Sequence, residues 1–106
     1  MKGGAGMLTL PIKKKWFDMI DAGEKTEEYR DIKPYWLKRF CKAGLCLPNG
    51  IGKGEHEILL VNGYGKDRPT IRATVRIAFG RGRPEWGAEE GHLYYVLKIR
   101  KKERVQ

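Results

Sequence analysis

Residues 70–79, TIRATVRIAF, carry the pattern that decides the fold, because apolar and polar side chains alternate along the whole stretch. Residues 93–100, LYYVLKIR, show the same alternation. A period of two places successive side chains on opposite faces, so both stretches are predicted to be strands with one buried face and one partly wet face. The side chains predicted to point inward are Ile71, Ala73, Val75, Ile77 and Phe79, and then Leu93, Tyr95, Leu97 and Ile99.

The first half of the chain alternates short strands with two helices. Residues 7–10 form an apolar strand candidate, and residues 12–22 follow with an apolar helical face that includes Trp16. Pro11 suits the first turn of that helix, where its missing N–H costs nothing, and Gly23 ends the helix in the left-handed conformation. The remaining elements are a strand or extended loop at 25–30, a second helix over Pro34–Lys42, and a buried strand at 57–61.

This order of elements predicts an α+β fold. Short strands with two early helices indicate a small, mixed, five-to-six-stranded β-barrel that is partly closed, with the helices packed beside it. The length of 106 residues allows one domain. We therefore expect a flexible Gly-rich arm over residues 1–6 and a single domain over residues 7–106.

The charge balance indicates a polyanionic partner. The chain has 22 Lys and Arg against 13 Asp and Glu, which gives a formal net charge of +9. A small basic protein most often meets nucleic acid or a nucleotide, although basic charge also serves solubility alone. The alternative partner is an acidic protein that binds the basic surface, in which case the chain acts as an adaptor.

Several classes of protein are excluded by composition. The longest apolar run, Ile58–Val61, is far shorter than the ~20 residues of a membrane span. The first residues lack the apolar stretch of a secretory signal, so the chain is predicted to be cytoplasmic. Cys41 and Cys46 with the two histidines, His56 and His92, fit no standard zinc spacing. We therefore expect no metal, no cofactor and no membrane contact, and we expect a monomer.

An acidic segment interrupts this basic chain. Six of its 13 acids lie within residues 18–31, where Lys25 and Arg30 are the only bases. Glu28 and Arg30 stand two apart, so in a strand they share a face and are predicted to pair laterally. Such a pair holds each side chain at a fixed angle, although an acidic helix end is also simply well solvated.

The segment GEKTEEYR, residues 23–30, matches the pattern Gly-x-Lys-x-x-Glu-x-Arg at all four fixed positions. In this it resembles the ASCH family, which is similar to the PUA RNA-binding domains. The segments Asn62–Gly65 and Glu85–Gly87 also resemble small prokaryotic and phage members. The resemblance implies a PUA-like barrel with a cleft lined by the motif, and RNA, a nucleotide or a modified nucleoside as ligand.

An enzymatic alternative follows from the same resemblance. One branch similar to this chain hydrolyses the acetyl amide of N4-acetylcytidine, using the motif lysine, a threonine at the motif's Glu position and a distant glutamate. Here Lys25 matches, but Glu28 stands where the threonine is expected. Thr26 supplies the nearest hydroxyl, but as the sequence neighbour of Lys25 it lies on the opposite strand face from that lysine unless the chain bulges. If the chain is an enzyme acting on a modified nucleoside or on RNA, Lys25 and Glu28 are its predicted catalytic residues.

The predicted binding site is centred on three charged side chains. Lys25 binds phosphate as a point charge, and we expect the surrounding acids to favour its charged form, which indicates binding rather than catalysis. Glu28 accepts hydrogen bonds from the amino group of cytosine or adenine, or orients Lys25. Arg30 binds phosphate or, in the reading we favour, braces Glu28. Thr26 is included as a ligand contact.

Aromatic and basic side chains complete the predicted site. Unstacked bases of single-stranded RNA lie on aromatic rings. Tyr64 lies in the turn 62–65, where a ring is poorly placed for the core, and Trp86 follows a loop rich in Gly, Arg and Pro. Trp16 and Trp36 are also candidates, although their helical spacing favours the core. The predicted phosphate contacts are Lys13 with its two neighbours Lys14 and Lys15, the pair Arg81 and Arg83, and the basic residues of 98–104.

Overall fold

A computed structural model describes residues 7–63 and 67–106 of the chain. Its five strands form one mixed sheet in the order β1-β3-β4-β5-β2, which curves into a half-barrel accompanied by two helices. This confirms the predicted α+β class and the barrel-like arrangement. The elements are β1 (Thr9–Ile12), α1 (Lys14–Asp21), β2 (Glu27–Asp31), α2 (Pro34–Lys42), β3 (Glu55–Asn62), β4 (Thr70–Gly80), a 3-10 turn (Pro84–Trp86) and β5 (Tyr94–Arg104).

The start of the chain differs from the prediction. Pro11 lies in β1, so the prediction that it opens the first helix is wrong, and α1 begins only at Lys14. β1 is an outer strand that pairs with β3 alone, in parallel, with Pro11 opposite Val61. Proline is tolerated in an outer strand because one side of the strand needs no backbone donor.

The end of α1 follows the prediction and sets the path of the motif. Gly23 has a φ of +83°, and the N–H groups of Gly23 and Glu24 donate to the carbonyls of Ile20 and Met19. This pair of bonds is a Schellman motif, which satisfies carbonyls that a helix end leaves unpaired. The chain therefore turns off the helix within two residues and delivers Lys25 towards β2.

The alternation in β4 and β5 is largely confirmed. Ile71, Ala73, Val75 and Ile77 are buried in the main core, as are Tyr95 and Leu97. Phe79 and Leu93 are not: they are 47% and 48% exposed, because Phe79 lies near the end of β4 and Leu93 precedes β5.

The second face of β5 is drier than predicted. Tyr94 and Val96 are buried in a separate cluster with Tyr29 and Ala88. The segment between β4 and β5 supplies Ala88 and, packed against the cluster, Trp86. This segment therefore covers a strand face that alternation alone predicts to be partly wet.

The open side of the half-barrel lies between its two outer strands. The Nη2 of Arg30 in β2 donates to the carbonyl oxygen of Pro11 in β1 at 3.2 Å. A side chain therefore spans the gap that no strand pairing closes, and it does so beside the motif. Within residues 7–63 and 67–106, no helix is both long and apolar enough to cross a membrane.

Candidate functional site

A cavity of about 290 Å³ lies between β1, α1, β2 and the segment that leads into β5. Five of the residues predicted from sequence line it together, from three separate parts of the chain. They are Lys13, Trp16, Glu28, Arg30 and Trp86. Tyr29 and Tyr94 add their rings to the lining. We call this cavity the motif pocket.

Lys25 lies behind the motif pocket rather than in its lining. Its side chain has no accessible surface, and its Nζ lies 3.0 Å from Oε1 of Glu28. The ammonium also donates to the backbone carbonyls of Glu27 and, at 3.2 Å, Trp86. The rings of Trp16 and Tyr29 lie 5.4 and 4.9 Å from it, within the range of cation–π contact.

The enclosure of Lys25 reverses one expectation. Desolvation by burial outweighs the attraction of Glu28 and lowers the pKa of Lys25 below its usual value of 10.5. The prediction that the surrounding acids would dominate and favour the charged form is therefore wrong in its net direction. The sequence shows how many acids are near in the chain, but not that the ammonium is removed from water.

Glu28 is held from both sides. Oε1 meets Lys25, and Oε2 accepts a hydrogen bond from Nη1 of Arg30 at 2.6 Å, which confirms the predicted lateral pair. The Glu28 side chain is only 8% exposed. A buried carboxylate between two cations has its position fixed, since each charge compensates the desolvation of the other.

Arg30 is fixed by further contacts. Its Nη1 also donates to the backbone carbonyl of Tyr29 at 2.7 Å, while Nη2 reaches Pro11. Its guanidinium lies 5.2 Å from the centre of the Trp36 ring. The guanidinium therefore joins the wall of the motif pocket to helix α2.

Two indole rings line the motif pocket, and each is accompanied by an exposed cation. Lys15 lies over Trp16 at 4.7 Å, and Arg83 lies over Trp86 at 4.9 Å. Both tryptophans are half-buried, so each ring has a packed part and an accessible part. A partly exposed aromatic side chain beside a cation suits contact with a flat, anionic ligand.

Two tyrosines that the sequence analysis did not single out position the segment carrying Trp86. The Tyr29 hydroxyl donates to Oε1 of Glu27 at 2.7 Å and accepts from the backbone N–H of Arg83 at 2.9 Å. The Tyr94 hydroxyl accepts from the N–H of Glu89 at 2.9 Å. Burial, with the hydrogen bond to Glu27, raises the pKa of Tyr29 above its usual range. The sequence offered one signal for Tyr29, namely an aromatic side chain at a variable position of the motif, between Glu28 and Arg30.

The remaining predicted residues lie away from the motif pocket. Thr26 is exposed, and only its backbone carbonyl is engaged, by the N–H of Ile99. Arg81 is exposed and donates to the carbonyl of Gly91. Arg83 is not part of the pocket lining; its guanidinium lies over the Trp86 ring and pairs with Glu85 at 3.6 Å. Tyr64 lies outside the described residues.

The cysteines and histidines do not come together as a metal site. In the described parts of the chain, no three or more His, Cys, Asp or Glu side chains are grouped so that they could hold a metal ion. Both cysteines are free thiols: Cys46 lies within the main core and Cys41 packs against it, and burial raises the pKa of Cys46.

Comparison with known proteins adds no relative: no family model, no curated protein and no solved structure matches the chain. The resemblance of residues 23–30 to the ASCH motif therefore stays a prediction. The chemistry of the motif pocket has to be judged from its own side chains.

Proposed function

We propose that the chain is an RNA- or nucleotide-binding module whose motif pocket receives a nucleobase. The observation that carries this proposal is the Glu28 carboxylate, buried and fixed between Lys25 and Arg30 beside two tryptophan rings. A fixed acceptor beside stacking surfaces is what recognition of a base edge requires.

Glu28 retains capacity for a ligand. A carboxylate offers about four lone-pair sites, and its two cations leave some of them free. The amino group of cytosine or adenine is a suitable donor, because an ionised carboxylate only accepts hydrogen bonds. Lys25 then acts as a positioning residue, since its ammonium is enclosed and holds Glu28 rather than meeting the ligand.

The size and charge of the motif pocket suit one nucleotide. Its volume of about 290 Å³ is at the lower end of small-molecule sites, which run from about 300 Å³ upward. Lys13 lines it and is exposed, so its ammonium is placed to meet a phosphate while the base lies between the rings. The net charge of +9 adds long-range attraction for any such anion.

A hydrolase acting on a modified nucleoside is the second candidate, and the lowered pKa of Lys25 favours it. A lowered pKa increases the fraction of the lysine that is present as the neutral amine, which is the form that acts as a base or nucleophile. Two observations argue against the hydrolase: the side chain of Lys25 is fully buried, and Thr26 does not line the motif pocket. Incubation with a panel of modified nucleosides and short RNAs, analysed by mass spectrometry, separates the two: retention of intact ligand supports binding, and a cleaved product supports the hydrolase.

Trp86→Ala should weaken nucleotide binding by about 5- to 150-fold, since stacking of one base contributes about 1–3 kcal/mol. The variant keeps the backbone carbonyl that accepts from Lys25, so the charged network is retained. Isothermal titration calorimetry with nucleoside monophosphates measures the change in Kd. Phe79→Ala is the matched control, because Phe79 is an exposed ring beside Ile51, away from the motif pocket. Equal losses in the two variants would count against the proposal.

A further inference from the structure

Helix α2 presents an aromatic and basic surface next to the motif pocket. We propose that this surface binds the nucleotides adjoining the one in the motif pocket, so that the ligand is a single-stranded polynucleotide rather than a free nucleotide. The inference rests on the proposed function. We call Tyr35, Lys38, Arg39 and Lys42 the α2 surface.

The aromatic part of the α2 surface is exposed and held in place. Tyr35 is 60% exposed, and its ring packs edge-on against Trp36 with the ring centres 4.9 Å apart. The guanidinium of Arg39 lies 5.5 Å from the centres of both rings. Tyr35 is thus an outward-facing aromatic side chain fixed from behind, which is the kind of platform on which bases stack.

Arg39 is held by packing rather than by an ion pair. Its Nε is buried and has no hydrogen-bond partner, which is uncommon for a guanidinium nitrogen. Its half-buried side chain lies against two rings, while its charge has no carboxylate to neutralise it within residues 7–63 and 67–106. A guanidinium stacked in this way retains the ability to contact phosphate.

The charge of the α2 surface is uncompensated. In the described residues, no carboxylate oxygen of Asp or Glu lies within 4.0 Å of a side-chain nitrogen of Lys38, Arg39 or Lys42. Three bases elsewhere on the sheet differ, because Arg72, Arg100 and Arg104 pair with Glu103, Glu55 and Asp21. Charge alone would also suit an acidic protein, but charge combined with a supported, exposed ring favours single-stranded nucleic acid.

The α2 surface is continuous with the motif pocket. Arg30 lines the pocket, its guanidinium lies over Trp36, and Trp36 contacts both Tyr35 and Arg39. The indole of Trp36 therefore lies between Arg30 in the pocket wall and the exposed ring of Tyr35. A single-stranded polynucleotide with one base in the motif pocket therefore passes directly over α2.

The test compares labelled single-stranded RNA and DNA of about eight nucleotides with nucleoside monophosphates. We expect Tyr35→Ala to weaken oligonucleotide binding by about 5- to 150-fold and to leave mononucleotide binding unchanged. Lys38→Gln should reduce the salt dependence of oligonucleotide binding by about 0.7 in the log–log slope if it contacts one phosphate. Arg72→Gln is the control, because Arg72 is paired with Glu103 and lies about 26 Å along β4 from Gly80, the register partner of Tyr94 in the pocket lining.

The outcomes separate the two proposals. Oligonucleotide binding that is unaffected by Tyr35→Ala and Lys38→Gln, while Trp86→Ala still weakens mononucleotide binding, overturns the α2 surface and leaves the motif pocket standing. Failure of the wild-type protein to bind any nucleotide or oligonucleotide overturns both. Binding of an acidic peptide such as polyglutamate that is weakened by Tyr35→Ala and Lys38→Gln, with no binding of oligonucleotide, assigns the surface to a protein instead.

Discussion

Replacing Glu28 with alanine should lower the free energy of unfolding by about 3–5 kcal/mol, the range found when one partner of a buried ion pair is removed. The change leaves the enclosed ammonium of Lys25 and the largely buried guanidinium of Arg30 without their shared carboxylate. For a domain of this size, that loss lowers the melting temperature by well over 10 °C. Urea denaturation followed by tryptophan fluorescence measures it.

The loss caused by Glu28→Ala should shrink as the pH rises from neutral towards the pKa of Lys25 in the wild type, which lies below 10.5. Without Glu28, nothing of comparable strength opposes the burial that lowers the pKa of Lys25. Between the lower pKa of Lys25 in the variant and its pKa in the wild type, the folded variant binds fewer protons than the folded wild type, so raising the pH recovers part of the loss. The free energy of unfolding of the variant is subtracted from that of the wild type at each pH, so that the contributions of other groups titrating at alkaline pH cancel.

Glu57→Ala is the matched control for Glu28→Ala. Glu57 is an exposed carboxylate in β3, and such surface changes usually alter stability by less than about 0.5 kcal/mol. If Glu28→Ala were no more destabilising than Glu57→Ala, the charged network would not be a structural element of the fold.

Gly82→Ala should cost about 2–4 kcal/mol and also weaken nucleotide binding. Gly82 has a φ of +72°, and a β-carbon there would lie 2.8 Å from ring atoms of Tyr29 and from the β-carbon of Ala88. Relief of this overlap moves the segment that carries Trp86 away from β2. Thermal unfolding and nucleotide titration measure the two effects.

Gly91→Ala separates backbone strain from overlap. Gly91 lies in the same segment with a φ of +79°, but a β-carbon there would meet nothing within 4 Å. We expect it to show only the backbone cost, about 1–2 kcal/mol, with nucleotide binding retained. If the two glycine variants behaved alike, the close packing of Gly82 on Tyr29 would have no role in placing Trp86.

The parts of the fold that a local pattern controls could be predicted from the sequence. The alternation from Ile71 to Ile77 specifies a strand with one buried face, and the spacing over Pro34–Lys42 gives α2 with the bounds observed. The pairing of Glu28 with Arg30 follows from strand geometry alone, since residues two apart share a face.

The parts that depend on contacts between distant segments could not be predicted. Pro11 is acceptable in β1 only because β1 is an outer strand, and that is a property of the whole sheet. The pKa of Lys25 falls because Trp16, Tyr29 and the backbone of Trp86 enclose it, and these come from three different elements. The α2 surface was missed for a similar reason: helical spacing places Trp36 towards the core, but does not show that it links Arg30 to an exposed Tyr35.

The central claim, that a base enters the motif pocket against Glu28, is tested most directly by titrating ¹⁵N-labelled protein with the four nucleoside monophosphates and following its NMR spectrum. The account predicts saturable shifts in the indole N–H signals of Trp16 and Trp86 and in the backbone amides of β2, larger for cytosine and adenine than for uracil, which has no amino group. Shifts confined to another surface, such as the exposed side chains around Ile51 and Phe79, or no saturable shift with any nucleotide, would contradict it.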